Sequence, residues 1–94
     1  MTLLLKDPDA VLDYAIDWGA DYLTDDERLA QSDWSVVPSE DGGLAIATGS
    51  FDDRTSTVRA SGGIAGRLYR LSNRVVTNAG RTDQRTIVLR AEER

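Results

Sequence analysis

Residues 12–18, with the sequence LDYAIDW, constrain the fold of this chain more than any other stretch. Aspartates recur every four residues from Asp9 to Asp25, and on a helix they would form one carboxylate stripe. That helix is unfavourable, because like charges at this spacing repel and because Asp and Gly are poor residues for a helix interior. A period of two instead places the apolar residues on one face, comprising Leu12, Tyr14, Ile16 and Trp18. The stretch therefore predicts a half-buried strand whose aspartates point into solvent.

Turn-forming residues divide the rest of the chain into further short runs of the same kind. Strands are predicted at residues 28–37, 44–51, 55–60, 67–77 and 85–91, separated by segments rich in Gly, Pro, Ser and Asn. In the second strand Trp34 and Val36 share a face, whereas Leu29 is harder to place. A hairpin turn at residues 78–80 is predicted to join the last two strands.

The long strand at residues 67–77 separates most clearly into two faces. The face predicted to be buried carries Tyr69, Leu71, Asn73 and Val75. The opposite face carries Arg70, Ser72 and Arg74. In the last strand, the residues predicted to point inward are Ile87, Leu89 and Ala91. These strands therefore predict a core layer on one side and an arginine-bearing surface on the other.

Six or seven short strands without a convincing helix, in a chain of 94 residues, are typical of a β-sandwich. We predict a single domain over residues 1–94, an all-β, immunoglobulin-like antiparallel β-sandwich of six to eight short strands. Tyr69 follows a glycine-containing corner, as in the tyrosine corner of immunoglobulin-like domains, and the lack of cysteine means no disulfide. Residues 1–8 are expected to form an N-terminal arm that either adds an edge strand or reaches a neighbour.

The residue types on which most enzymes rely are scarce. The chain has no cysteine, no histidine and one lysine, which excludes thiolate metal sites, thiol nucleophiles and the Ser/His/Asp arrangement. It has no apolar run of the ~20 residues that a membrane helix needs, and its start does not resemble a secretory signal. We therefore predict a protein made in the cytoplasm and kept there or assembled from there, with no catalytic residue, cofactor, metal, small-molecule substrate or membrane contact.

The two halves of the chain carry opposite charge. Residues 1–53 hold thirteen acidic and two basic residues, a balance of −11, whereas residues 54–94 hold nine arginines and three acidic residues, a balance of +6. Acidic and basic strands could pair with each other at the surface of one domain. Alternatively, an acidic face and a basic face could stack identical subunits or hold a partner.

Acidic loops raise the possibility of calcium binding. The candidate ligands are Asp25, Asp26, Glu27, Asp52 and Asp53, whose carboxylate oxygens suit Ca²⁺. No DxDxDG spacing is present, so solvated acidic turns are the favoured interpretation. The glycines of SGGIAG lack the Lys-Ser/Thr ending of a phosphate-binding loop, and they favour a tight connection between strands.

The residue content allows two other binding functions. Nucleic-acid binding would use Arg59, Arg67, Arg70, Arg74, Arg81, Arg85 and Arg90. The pI near 4.5 and the absence of aromatics between these arginines make it unfavourable. A carbohydrate platform would use Tyr14, Trp18, Trp34 and Tyr69. One inward aromatic residue per strand is more typical of a core.

Several segments together resemble a known family. The segments KDPDAVLDYAIDW, SDWSV and SGGIAGRLYRLSNRVVTNAGRTDQRTIVLRAEER occur in order and cover nearly the whole chain. They are similar to the small phage and prophage fibre-tail adaptor proteins. Where members of that family usually have a short apolar stretch, this chain has the longer and more polar SEDGGLAIATGS.

The resemblance implies an immunoglobulin-like virion protein that acts by binding and carries no catalytic residues. We therefore predict a structural adaptor of the tail or head-tail region that docks other virion proteins or identical subunits. The predicted contact residues are Arg70, Arg74 and Arg90, and loops at residues 38–43, 61–66 and 78–83 are further contacts. The alternative is a carbohydrate-binding or host-adhesion module.

Overall fold

The computed structural model describes residues 3–93, which form eight strands in two sheets. The strands are β1 (Leu3–Lys6), β2 (Leu12–Asp17), β3 (Leu29–Val37), β4 (Leu44–Ile46), β5 (Ser50–Phe51), β6 (Thr55–Gly62), β7 (Leu68–Thr77) and β8 (Thr82–Ala91). One sheet has the order β1-β8-β7-β3, and the other has the order β2-β6-β4 with β5 also paired to β6. The prediction of an all-β sandwich is confirmed. Over these residues there is no helix with the length and hydropathy of a membrane span.

The extended conformation at residues 12–18 is confirmed, and the predicted apolar face is buried at its later residues. Ile16 and Trp18 are buried, with 8% and 0% of their surface exposed, while Asp13 and Asp17 lie in solvent. Leu12, at the start of the strand, is 41% exposed, so the face is not buried over its whole length. β2 pairs with β6 in antiparallel register from Leu12 to Asp17. The aspartates therefore belong to a solvated face and not to a helical stripe.

The predicted faces of β7 are also confirmed. Its inward residues are fully buried, and they are Tyr69, Leu71, Asn73 and Val75. Arg70 and Arg74 are exposed on the other side. Leu89 and Ala91 of β8 join the same core, which β4 and β6 close from the opposite sheet. The outer face of β7 is therefore free to carry a function, since the inner face already holds the core.

Polar side chains cross the interior between the two sheets. Asn73 Oδ1 accepts the Trp18 indole N–H at 2.8 Å, and Asn73 Nδ2 donates to Ser32 Oγ at 2.8 Å. The Ser56 hydroxyl lies 2.6 Å from Ser32 Oγ and accepts the Trp34 indole N–H at 2.8 Å. Both tryptophans are thus core residues with satisfied donors, as expected for buried aromatics with a polar atom.

The immunoglobulin-like assignment has support from strand order and from Tyr69. The sets β2-β6-β4 and β3-β7-β8 follow the order of strands B-E-D and C-F-G in the constant-type immunoglobulin sandwich. The Tyr69 hydroxyl accepts the Ile64 backbone N–H at 2.9 Å and donates to Glu40 Oε1 at 3.1 Å. That bond ties the β6–β7 loop to its strand as a tyrosine corner does. The assignment remains a prediction.

The predicted strand at residues 44–51 is wrong as a continuous element. It forms two short strands, β4 and β5, separated by residues 47–49. A Cβ atom on Gly49 would lie 2.7 Å from Trp34 Cδ1 and 3.0 Å from the Thr57 carbonyl oxygen. The backbone at Gly49 is therefore pressed against the Trp34 ring, and this approach between the two sheets interrupts the strand.

The N-terminal arm adds an edge strand, and that strand is parallel to its neighbour. Leu3 pairs with Val88 and Lys6 with Ala91 in parallel register. The sandwich is therefore not wholly antiparallel, which differs from the prediction. Lys6 has 1% of its surface exposed, and its Nζ donates to the Gly62 carbonyl oxygen at 2.7 Å. In β3, a bulge between Leu29 and Gln31 turns Leu29 into the core, which explains why its place was unclear from the sequence.

Candidate docking surface

The three arginines predicted to bind a partner lie on the same side of one sheet. β7 is a central strand, and its outward residues include Leu68, Arg70 and Arg74. Arg90 of β8 is directly opposite Leu68 in the antiparallel pair. The structure therefore brings Arg70, Arg74 and Arg90 to the outer face of the sheet β1-β8-β7-β3.

Apolar side chains surround two of these arginines. In one row across the sheet, Arg70 lies between Val37 of β3 and Val88 of β8, and Val88 is followed by Leu3 of β1. In the next row, Arg90 lies between Leu68 of β7 and Leu5 of β1. We call this surface the outer patch, and its members are Leu3, Leu5, Val37, Leu68, Arg70, Val88 and Arg90.

Four of the five apolar members of the outer patch are exposed, and the fifth, Val88, is half-buried. The exposed fraction is 57% for Leu3, 62% for Val37 and 55% for Leu68. Single exposed apolar residues are ordinary on a protein surface, but neighbouring ones on a sheet face mark an interaction site. Arginine among apolar side chains is also the composition of interface cores, where lysine is depleted.

Arg74 shares the sheet face but not the patch. It lies four residues beyond Arg70 along β7, about 13 Å at the usual rise of a strand. Its register neighbours are Asp33 and Gln84, both polar. Two of the three predicted contact residues, Arg70 and Arg90, thus lie among apolar side chains. The third, Arg74, lies among polar ones.

Ion pairs between the two halves of the chain occupy several other arginines. Within residues 3–93, four of the five ion pairs join the acidic half to the basic half, and they are Arg59–Asp13, Arg67–Glu40, Arg81–Glu27 and Arg85–Asp21. The fifth joins Arg90 to Glu92 at 2.7 Å. Neither Arg70 nor Arg74 takes part in an ion pair among the described residues. Surface pairing therefore explains much of the charge split, and Arg70 and Arg74 are among the arginines without an ion pair in residues 3–93.

Arg81 and Arg85 are further engaged by aromatic rings. The Arg81 guanidinium carbon lies 4.3 Å from the centre of the Tyr22 ring, and the Arg85 guanidinium carbon lies 4.5 Å from that of Trp18. Cation–π contacts of this kind stabilise the arginine where it is. Both arginines accordingly belong to the structure of the sandwich and not to a surface that offers free cations to nucleic acid.

One carboxylate of the predicted solvated turns is buried, which corrects that expectation. Glu27 has 5% of its surface exposed, and its Oε2 accepts hydrogen bonds from Arg81 Nε at 2.8 Å and Thr77 Oγ1 at 2.6 Å. The hydrogen bonds from Arg81, and then Thr77, lower the pKa of Glu27 from 4.5 to about 2. Glu27 is held as a structural anion, so it is not available as a calcium ligand or a general acid.

One depression of the surface is rich in carboxylates. It has a volume of about 590 Å³ and is lined by Asp17, Asp52, Asp53, Arg54 and Thr55. Backbone hydrogen bonds from Arg54 and Thr55 lower the pKa of Asp52, which disfavours the protonated form that a general acid needs. Over residues 3–93, no group of three or more Asp, Glu, His or Cys side chains is arranged to hold a metal ion.

The aromatic residues do not form a carbohydrate platform. Trp18 and Tyr69 are buried, and Tyr14 and Trp34 pack partly buried against the core, as predicted. Among residues 3–93, the exposed large hydrophobic residues include one aromatic residue, Phe51, with 44% of its surface exposed. A flat site of two exposed rings is therefore absent from residues 3–93.

Sequence reasoning missed the apolar part of the outer patch. Leu68 is two residues from Arg70 on β7 and therefore points outward as Arg70 does, so the alternation along this strand could have predicted its exposure. The other members come from three different strands, and only the pairing register brings them beside the arginines.

Comparison with known proteins gives one result. No curated protein matches the chain. A protein-family model described as podophage GP4 fiber-tail adaptor protein gp77 matches residues 6–90, which is most of the chain. The resemblance drawn from the sequence is thereby confirmed. This chain belongs to the podophage GP4 fibre-tail adaptor family.

Proposed function

We propose that this protein is a non-catalytic structural adaptor of a phage or prophage virion, located at the tail or head-tail region, and that it acts by docking through its outer patch. Its partners are other virion proteins, further copies of itself included. The observation that carries the proposal is the group of exposed apolar residues around Arg70 and Arg90. Family membership supports the adaptor role, because the family is one of fibre-tail adaptors.

The patch has the two properties that a docking site needs. Leu3, Leu68 and Val37 supply apolar surface whose removal from water favours association. Arg70 and Arg90 supply charge, which chiefly sets the encounter rate and orientation of the partner. Arg74, in its polar row, extends the positive field and has a smaller role.

The test is incorporation of variants into virions. Arg70→Glu combined with Arg90→Glu is expected to lower incorporation at least about tenfold, because a reversed charge in a desolvated contact is repelled by its partner. Arg74→Glu alone is expected to lower it less. The readout is the amount of this protein in purified particles, produced from a phage whose own copy of the gene is deleted.

Arg28→Glu serves as the control. Arg28 is exposed and directly precedes the first residue of β3, whereas the patch residue Val37 is the last residue of that strand. It is expected to leave incorporation unchanged. All variants should keep the thermal unfolding midpoint of the wild type, which separates loss of docking from loss of fold. Normal incorporation of the folded double variant would contradict the proposal.

A further inference from the structure

An exposed aromatic residue lies beside carboxylates at the other end of the molecule. Phe51 of β5 is 44% exposed, and Asp52 and Asp53 follow it in the turn to β6. We call Phe51, Asp52 and Asp53 the acidic edge. Asp52 Oδ1 accepts the backbone N–H groups of Arg54 at 2.9 Å and Thr55 at 2.8 Å, which fixes the shape of this turn.

The charge of the acidic edge is not cancelled by the neighbouring arginine. Arg54 Nη2 donates to the Gly19 carbonyl oxygen at 2.7 Å, and no ion pair joins Arg54 to Asp52 or Asp53 within residues 3–93. The Asp53 carbonyl oxygen accepts the Leu29 N–H at 2.8 Å, so the backbone of the turn is attached to the start of β3. The acidic edge is thus a fixed surface with one apolar anchor and net negative charge.

The acidic edge and the outer patch lie at opposite ends of the sandwich. Phe51 pairs with Ser56, whose hydroxyl contacts Ser32, and Asp53 bonds Leu29 at the first residue of β3. Val37, at the last residue of β3, belongs to the outer patch. Leu29 and Val37 are eight residues apart on one strand, which corresponds to about 26 Å. One molecule can therefore use both surfaces at once without one covering the other.

We propose that the outer patch binds the acidic edge of a second copy of this chain. This inference rests on the proposed function, because it names a partner for the same surface. The exposed Phe51 ring would lie on the leucines of the patch, and the carboxylates of Asp52 and Asp53 would face Arg70, which has no ion pair among residues 3–93. They would also face Arg90, which would have to exchange its ion pair with Glu92 for one with the second copy. The two surfaces are opposite in sign of charge and both carry apolar side chains, which is the complementarity that specific docking requires.

Such a contact is heterologous, since two different surfaces of the chain meet in it. Heterologous contacts leave one free surface of each kind on every dimer, and they continue into a ring or a chain of subunits. Association should weaken as salt is added, because exposed charges are screened.

The test uses two complementary variants in sedimentation velocity. The patch variant, Arg70→Glu with Arg90→Glu, keeps the acidic edge. The edge variant, Phe51→Ser with Asp53→Lys, keeps the patch and leaves the turn bonds of Asp52 in place. The wild type is expected to associate with rising concentration. Each variant alone is expected to associate at least about thirtyfold more weakly.

Mixing the two variants is the decisive arm. Each retains the surface that the other lacks, so the mixture is expected to give one-to-one complexes that grow no further. A wild type that stays monomeric up to about millimolar concentration, or an edge variant that still associates like the wild type, would overturn the inference. In those cases the proposed function stands if the patch variant still fails to enter virions, and it falls if that variant enters normally.

Discussion

At the scale of single residues, Glu27 joins two loops at one end of the sandwich. Its carboxylate lies between Arg81 and Thr77 from the β7–β8 connection, and its Oε1 accepts the Thr24 backbone N–H at 3.2 Å. The side chain is buried, so the carboxylate has lost most of its water. A buried charge of this kind is stable only while its partners remain. Removing one partner of the ion pair destabilises the fold by more than the intact pair stabilises it.

Part of the pH dependence of folding follows from this site, in addition to the contribution of Asp52, whose pKa is also lowered. The pKa of Glu27 is about 2 in the folded chain against an ordinary 4.5. The unfolded chain therefore binds the proton first as the pH falls, so the contribution of Glu27 to stability is present above pH 4.5 and is lost towards pH 2. Urea unfolding between pH 5 and pH 2 should show the free energy of unfolding falling over this range.

Glu27→Gln should flatten that dependence, because it removes the titrating group while keeping the size of the side chain. The variant is expected to be less stable at neutral pH, with Arg81 left without its counter-charge. Asp26→Asn is the control, since Asp26 is the exposed acid one position earlier, and it should keep the wild-type slope. An equal slope for Glu27→Gln and the wild type would show that this anion does not contribute.

At the scale of strands, alternation was sufficient to predict most elements and their faces. Ile16 and Trp18 of β2, and the inward residues of β7, are buried as the period of two requires. The break at Gly49, the bulge at Leu29 and the parallel partner of β1 were not predicted. Each depends on a contact with a distant segment, and a local pattern contains no information about which segments meet.

The break between β4 and β5 gives a direct test at this scale. Gly49→Ala places a methyl group against the Trp34 ring and the Thr57 carbonyl oxygen, where no space exists. We expect the free energy of unfolding to fall by about 1–3 kcal/mol, measured by urea titration. Thr48→Ala, at the exposed neighbouring position, should change it by less than about 0.5 kcal/mol. Equal effects of the two substitutions would mean that the close approach at Gly49 is not what interrupts the strand.

At the scale of the whole molecule, the charge split has the first of the two consequences considered from the sequence, and the second, docking through charged faces, stays a prediction. Ion pairs join the two halves at the surface of the sandwich, as Asp13–Arg59 and Asp21–Arg85 do. Arg70 and Arg74 have no such partner among the described residues, and this surplus of positive charge faces outward on one sheet. Exposed pairs contribute little to stability, so the distribution of charge bears mainly on association.

The candidate site was predictable only in part, because its composition depends on which residues of neighbouring strands lie side by side. Alternation along β7 was enough to place Arg70 and Arg74 on one outward face. It could not separate them, because Val37 and Val88 lie beside Arg70 on the neighbouring strands, whereas Asp33 and Gln84 lie beside Arg74. The composition of a sheet surface is a property of register, which the sequence of a single strand does not contain.

Docking through the outer patch is tested most directly by a reconstruction of the virion that carries this protein, at a resolution that shows side chains. We expect the outer face of the sheet β1-β8-β7-β3 to be covered, with Leu68, Arg70 and Arg90 in contact with another protein subunit and Arg70 facing a carboxylate. A virion in which that face is open to solvent, with the protein held through other surfaces, would contradict the account.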